Sequence, residues 1–235
     1  MKGTLYLVPN LLGAVPPDHV LPKRTLDIAR ALTHWVVETP KAARAYLKSI
    51  DIAVPVATLD IQALPSATVA AEHAALLAPA HAGHAIGLLS DAGCPGVADP
   101  GALMVAAAHA AGIAVVPLVG PSAILLALMA SGMNGQGFVF HGYLPVKSEA
   151  RAAALRMLEI ASRKDRTTQL FIETPYRNVA MLEAAASVLD PSTIVCVAAD
   201  LTLPSETIER RTAAAWRRQD LQRFDRRPAL FAVCA

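Results

Sequence analysis

Cysteine is scarce in this sequence: three residues in 235, Cys94, Cys196 and Cys234, odd in number and far apart. They form neither a disulfide framework nor a Cys-x-x-Cys metal pair, and a reduced, cytoplasmic setting suits them. Charge is sparse and nearly balanced, with 21 Lys and Arg against 19 Asp and Glu and a formal net charge of +2. The chain as a whole therefore lacks the basic footprint of a nucleic-acid binder, and any RNA contact must come from local clusters. Aromatic residues make up only 5%, yet hydrophobic residues reach 54%. That composition excludes a disordered chain and supplies ample material for a core.

An unbroken apolar span is also missing. The most apolar stretch, Ile113 to Met133, carries no charge, but Pro117, Gly120 and Pro121 divide it into a short strand and a short helix. A membrane helix needs about 20 apolar residues in one piece. The opening MKGTLYLVPN has one Lys and an apolar run stopped at Pro9, too short for a signal peptide. The expectation is a soluble, cytoplasmic protein. Several motifs are absent as well: GxGxxG after the first strand, GxxxxGK[ST], HExxH and GxSxG. Ordinary dinucleotide, P-loop, zinc-peptidase and hydrolase readings lose their support. His81 and His84, split by Gly83, read as a surface turn, and His109 as a half-buried helix residue. No metal site is expected.

What is present is an alternation of short apolar runs with Ala-rich helical stretches. Strands are expected at 4–8, 35–37, 85–89 and 113–118, with helices at 25–32, 42–48, 69–78 and 103–111. Beyond Gly120, helices are expected at 123–131, 149–163, 178–189 and 213–217, and strands at 138–144, 169–172, 194–198, 207–211 and 230–234. This is the pattern of an α/β protein with a largely parallel sheet. The texture changes near Val119–Pro121, which gives an N-terminal α/β domain over 1–118 and a C-terminal one over 121–235.

Two loops stand out for chemistry. Ser90 to Gly101, SDAGCPGVADPG, follows a buried strand and packs three Gly and two Pro into a dozen residues. Such a loop is shaped, its backbone is open to a ligand, and Asp99-Pro100 is placed to cap and begin a helix. Val119-Gly120-Pro121-Ser122-Ala123 follows the next strand, with Ser122 as a helix cap and amide donors behind it. Val37-Glu38-Thr39-Pro40-Lys41 and Ile172-Glu173-Thr174-Pro175-Tyr176-Arg177 echo each other. Each leaves a strand and starts a helix, with Thr as the expected cap and Pro in the first turn. In open α/β sheets such strand ends face the ligand.

The segments GTLYLVPNLLG, LLSDAGCPGVADPG, VVPLVGPSA, FVFHGYLP and FIETPYR occur in that order. Together they resemble the tetrapyrrole methylase family of S-adenosylmethionine-dependent methyltransferases. Within it the chain looks most like the short relatives of the small-subunit ribosomal RNA cytidine 2′-O-methyltransferase. The resemblance implies two α/β domains with the cofactor cleft between them, a homodimer, and S-adenosyl-L-methionine as cofactor. By position, Ala92, Gly93, Cys94 and Val97 would line the methionine side, mainly through backbone groups. Ser122 and Ala123 would follow from the GPSA turn, Glu173 and Leu201 would lie near the adenosine, and Leu11 belongs to the first loop.

Where the RNA branch reads Ala-Glu-Asp-Thr-Arg this chain has Val37-Glu38-Thr39-Pro40-Lys41, and Glu-Ser-Pro-His-Arg becomes Glu173-Thr174-Pro175-Tyr176-Arg177. Cys94 stands where Thr is usual. The cofactor half of the pattern is thus better kept than the acceptor half. For a hydroxyl acceptor, Glu38 is the expected base. Arg163, Lys164, Arg166, Arg210, Arg211, Arg217 and Arg218 are the candidate contacts to the small ribosomal subunit. The alternatives are a tetrapyrrole or other small-molecule acceptor, or a cofactor-binding protein without catalysis.

Overall fold

In the first part of the chain, short strands form a wholly parallel sheet whose central members, rich in apolar residues, are buried on both faces. The computed structural model describes residues 1–65 and 69–235. They fall into two compact units, Met1–Ser122 and Ala123–Ala235. The first unit holds strands β1 (Thr4–Val8), β2 (His34–Val37), β3 (Asp60–Ala63), β4 (Ile86–Leu89) and β5 (Ala114–Pro117) in the order β3-β2-β4-β1-β5. Helices α1 (Lys23–Ala31), α2 (Pro40–Ser49), α3 (Ala70–Ala75), α4 (Ala78–His81) and α5 (Ala102–Ala110) connect them.

Alternation along each strand divides the side chains between two cores. Val8, Trp35, Val37 and Leu89 pack with Leu26, Ala29, Ala43, Tyr46 and Leu47 of α1 and α2. Leu5, Val36, Ile86 and Leu88 pack on the other face with Ala80, Met104 and Ala108 of α4 and α5. The crossovers β1–β2–β3 run one way along the sheet and β3–β4–β5 the other. With right-handed crossovers this puts the two helix sets on opposite faces. Gly87 fits this arrangement for a steric reason: a Cβ there would stand 2.7 Å from the Trp35 indole.

Four local expectations change. The single helix expected over 69–78 is two short ones, α3 and α4. Pro79 has no N–H and would collide with the Ala75 carbonyl in a continuous helix, so the chain restarts and places it in a first turn. Strand β3 was not expected: Asp-Ile-Gln-Ala has little β propensity and gains its order as an edge strand paired to β2. The cap position of α5 belongs to Gly101, at φ 133°, and not to Asp99. His109 is exposed, while His81 and His84 sit at the surface around a turn as expected.

The second unit departs from a parallel sheet. Its elements are α6 (Ala123–Ser131), β6 (Phe138–Tyr143), α7 (Ser148–Asp165), β7 (Thr168–Glu173), α8 (Asn178–Val188), β8 (Ile194–Ala199), β9 (Thr207–Thr212), α9 (Ala213–Trp216) and β10 (Ala229–Cys234). The order is β6-β7-β10-β8-β9, and only β6 and β7 run parallel. Strand β10 is apolar throughout and enters the middle of the sheet antiparallel to both neighbours. Phe231 lies opposite Phe171 with their rings stacked at 5.2 Å. Around them Leu155, Met181, Leu182, Val195, Val197 and Val233 fill one face. Helix α6 lies against β8, β9 and β10. Trp216 anchors the α9 side through Nε1 to the Val195 carbonyl, 3.0 Å.

The apolar stretch 113–133 resolves into β5, a loop and α6. Among the described residues no helix is long and apolar enough to cross a membrane. The Gly87→Ala substitution is expected to lower unfolding stability by about 1–3 kcal/mol, because the indole of Trp35 must move to admit one methyl. Chemical denaturation of the two proteins, followed by Trp fluorescence, measures the loss.

Candidate functional site

The path of the chain leaves room for a ligand at one place on the first sheet. From β2 the connection departs toward β3, and from β4 it departs the opposite way toward β5. Between β2 and β4 the exits diverge, the arrangement at which open α/β sheets take ligands. Glu38 and Thr39 leave β2 at this point, and Ser90 and Asp91 leave β4.

These loops lock reciprocally. The Glu38 N–H extends the ladder to the Leu89 carbonyl at 3.1 Å. The Asp91 N–H donates to Glu38 Oε2 at 3.0 Å. In return, Thr39 donates its N–H to Asp91 Oδ1 (3.1 Å) and its hydroxyl to Asp91 Oδ2 (2.8 Å). Thr39 occupies the cap position of α2, but its side chain makes no cap bond because the Asp91 carboxylate holds the hydroxyl. Thr174, its counterpart, precedes a short 3-10 turn, Pro175–Arg177, and also makes no side-chain cap bond.

On the β1 side the buried Asn10 completes the frame. Its Nδ2 donates to the carbonyls of Ser90 (2.9 Å) and Asp91 (3.0 Å), its Oδ1 accepts from the Leu11 N–H (2.8 Å), and its own N–H donates to the Gly93 carbonyl (2.8 Å). Gly93 has φ 65°, a conformation that favours glycine, and an added Cβ would find only Leu12 and Pro121 at van der Waals range. The Ser90 hydroxyl donates to the Ala92 carbonyl at 3.0 Å, and the Cys94 thiol to the Pro121 carbonyl at 3.5 Å. The Thr25 hydroxyl holds the loop after β5 through the Val119 carbonyl, 2.7 Å.

The electrostatics of this edge are negative. Burial, with the charges of Glu38 and Asp91 and against a hydrogen bond from Ser90, pushes the Asp99 carboxyl up to about 6. Burial, aided by the Asp99 charge, raises the Cys94 thiol, which keeps it protonated and inert as a nucleophile.

The first unit thus brings Leu11, Glu38, Ala92, Gly93 and Cys94 to one sheet edge. Val97 is half exposed in the same loop, and Ser122 precedes α6. Ala123, Glu173 and Leu201 belong to the second unit. There Glu173 is buried and ion-paired with Arg177, whose Nη2 donates to Oε2 at 2.8 Å. Its carboxylate is committed to that pair, and its backbone ends the ladder opposite Ala229. Leu201 is buried just after β8, beside Asp200, which accepts from Arg227 Nε and the Ser205 hydroxyl, both at 2.8 Å.

Sequence reasoning named neither Asn10 nor Asp91 as site residues, and it read Asp99 only as a helix cap. The signal for Asn10 was a polar residue directly after a buried strand; for Arg177 it was the i, i+4 spacing from Glu173. Of the candidate RNA contacts, Arg163, Lys164, Arg166, Arg210, Arg217 and Arg218 are exposed. Arg211 instead pairs with Glu209 at 3.0 Å, and Arg217 Nε donates to the Ala186 carbonyl at 2.7 Å. Among the described residues no three His, Cys, Asp or Glu side chains are grouped to hold a metal.

No family model matches the chain. Its sequence is 33% identical over 225 residues to the ribosomal RNA small subunit methyltransferase I of Escherichia coli O157:H7, covering 94% of this chain and 74% of that protein. It is 33% identical over 231 residues to the protein of the same name from Xylella fastidiosa (strain Temecula1), covering 98% and 80%. Among solved structures, the methyltransferase CobJ superposes with a TM-score of 0.63 at 18% identity, over 98% of this chain and 94% of that one. Uroporphyrin-III-C-methyltransferase from Thermus thermophilus gives 0.55 at 20% identity, over 100% and 93%. At these identities the two structures establish the shared fold.

The raised Asp99 has a consequence for stability. A carboxyl whose folded value lies near 6 disfavours the folded state when ionised, and that penalty is relieved as pH falls from about 6 toward the unfolded value near 3.9. Asp99→Asn is therefore expected to stabilise the protein at about pH 7.5, by about 1 kcal/mol after allowance for solvent screening, and to give no gain near pH 4. Paired denaturation curves at the two pH values measure it.

Proposed function

Because this chain belongs to the ribosomal RNA small subunit methyltransferase I family, a family of methyltransferases with the tetrapyrrole methylase fold, we propose that it methylates a ribose hydroxyl of small-subunit ribosomal RNA in the cytoplasm. We propose S-adenosyl-L-methionine as the donor. The observation that carries this reading is the frame of Asn10, Asp91, Glu38 and Thr39. It fixes a backbone-lined loop at the switch point of a parallel sheet, under a negative potential.

The residues present fit the donor. Bound S-adenosylmethionine supplies an electrophilic methyl group on a positively charged sulfur. Around Ala92, Gly93 and Cys94 the loop offers carbonyl dipoles, with the carboxylates of Glu38 and Asp91 close enough to raise Asp99. Dipoles and nearby negative charge favour a cation without attacking it, and the protonated Cys94 thiol is not a competing nucleophile. Val97, Leu11, Ser122 and Ala123 are the further contacts proposed from the family pattern, with Glu173 and Leu201 for the adenosine.

Transfer forms one C–O bond from the ribose oxygen and breaks one C–S bond, and the hydroxyl proton must leave. We assign it to Glu38. The Asp91 N–H holds Glu38 Oε2 and so orients the carboxylate, with Oε1 as the proton acceptor. The rest of the catalysis is alignment of acceptor and donor by a loop whose position the frame fixes.

A homodimer is proposed as the working state. Its support is the apolar surface of the edge strand β6 and of α7, where Phe138, Val139, Tyr143, Met157 and Ile160 are exposed. Sedimentation at micromolar concentration is expected to give twice the chain mass, and Val139→Lys to shift it toward the single chain.

Calorimetric titration is expected to show one saturable S-adenosylmethionine site per chain, and small ribosomal subunits lacking the methyl group are expected to accept it. Glu38→Gln is expected to lower turnover on those subunits about 100-fold with donor affinity unchanged. Turnover equal to that of the unaltered protein removes Glu38 as the base.

A further inference from the structure

At one end of the second unit's sheet, two ordered loops carry an exposed aromatic ring and an exposed guanidinium side by side. Strands β7 and β8 end where β10 begins, with Ala229 paired to both Glu173 and Ala199. Two loops meet there, 174–177 and 224–228. Buried Asn178 donates through Nδ2 to the Phe224 carbonyl (3.0 Å) and the Arg227 carbonyl (2.6 Å). The Arg226 N–H donates to the Pro175 carbonyl at 3.1 Å, which joins one loop to the other.

The arginines of this region divide by duty. Arg177 pairs with Glu173, and Arg223 pairs with Glu209 at 2.7 Å. Arg227 pairs with Asp200 at 2.8 Å and also donates to the Ser205 carbonyl and the Thr207 hydroxyl. Arg226 differs. Its ion-pair contact is the adjacent Asp225 at 3.6 Å, and its side chain is 76% exposed. Its backbone is held at φ 56°, a left-handed conformation that L-residues adopt where the surroundings impose it. The guanidinium carbon stands 6.0 Å from the ring centre of Tyr176, itself 77% exposed.

We propose that Tyr176 and Arg226 form a stacking platform for an unpaired base of the RNA substrate, the ring taking the face of the base and the guanidinium the flanking phosphate. Single-stranded RNA is held in this way, by aromatic faces and guanidinium groups on which splayed bases stack. An exposed Tyr loses few rotamers on binding, and the loops beneath it are already ordered by Asn178 and the Arg226 backbone bond, so little further ordering is needed. Stacking also tolerates any base, which leaves the choice of nucleotide to other contacts.

The proposal rests on the reading that the substrate is RNA, and its test separates the two. The full chain, and its Tyr176→Ala, Tyr176→Phe and Arg226→Ala variants, are titrated with a labelled unstructured single-stranded RNA at low and raised salt, and with S-adenosylmethionine by calorimetry. Tyr176→Ala is expected to weaken RNA binding about 5- to 100-fold while Tyr176→Phe stays near the unaltered protein, since the ring and not the hydroxyl stacks. Arg226→Ala is expected to weaken it and to flatten its salt dependence. All variants should keep the donor affinity. RNA binding by the unaltered protein that Tyr176→Ala leaves unchanged overturns the platform and spares the RNA reading. No RNA binding by the unaltered protein even at low salt overturns both. An equal loss of donor affinity in Tyr176→Ala, with Phe restoring it, reassigns the pair to the cofactor and overturns the proposal.

Discussion

One buried side-chain amide holds the first sheet's working edge together. Asn10 reaches from the end of β1 to the carbonyls of Ser90 and Asp91 and presents its own oxygen to Leu11. Through Asp91 the constraint passes to Thr39, and through the Asp91 N–H to Glu38. Three strand ends are thereby held in one register by groups that satisfy each other, which a loop of small residues cannot do unaided. The arrangement explains why a segment built from Ala, Gly and Cys keeps a defined shape: its order is imposed from outside by polar partners on neighbouring strands. A buried amide of this kind also carries a strong penalty against alternatives, because each carbonyl that loses it is left unpaired.

The two units solve the same problem with different sheets. The first is covered on both faces by helices, and its central strands read as short, mostly apolar runs. The second closes with β10 running against its neighbours, and its strand ends are secured by charge. Glu173 with Arg177, Asp200 with Arg227 and Glu209 with Arg211 and Arg223 are ion pairs formed in and around those ends. Of the arginines that read in sequence as a basic cluster, Arg211 is drawn into this structural role, while Arg163, Arg166, Arg210 and Arg218 stay exposed. Pairs this close to the sheet act by fixing geometry more than by adding stability, since removing their largely buried charges from water offsets much of the attraction between them.

Much of the fold was legible because hydrophobic runs and breakers are local signals. Strands such as Thr4–Val8 and helices such as Ala123–Ser131 follow from their own residues. What escaped depends on partners distant in sequence. Asp-Ile-Gln-Ala becomes a strand only because β2 offers it an edge. The antiparallel insertion of β10 is a matter of which neighbours lie free, not of the residues Ala229–Cys234 themselves. At the candidate site, the loops after β2 and β4 could be found from their own residues, and the loop after β1 only through the family resemblance. The identity of the group that Thr39 addresses could not, because a hydroxyl that caps a helix and one that binds a carboxylate look the same in sequence. Asp99 was read as a cap and is instead a carboxyl that holds its proton, a property set first by burial and then by the charges of Glu38, on the loop after β2, and of Asp91.

The place of β10 has a consequence for the order in which the chain acquires structure. The first unit has all its strands once residue 117 has been made, so its sheet can close while the rest is still being synthesised. In the second, β7 and β8 are not neighbours; each waits with an open edge for a strand that arrives only at residue 229. Through that interval two apolar edges facing a vacant slot are the most adhesive surfaces on the nascent protein, open to any extended segment that comes by. The burden of keeping this protein out of aggregates during its birth therefore falls on the second half of the chain, and it is lifted by six residues.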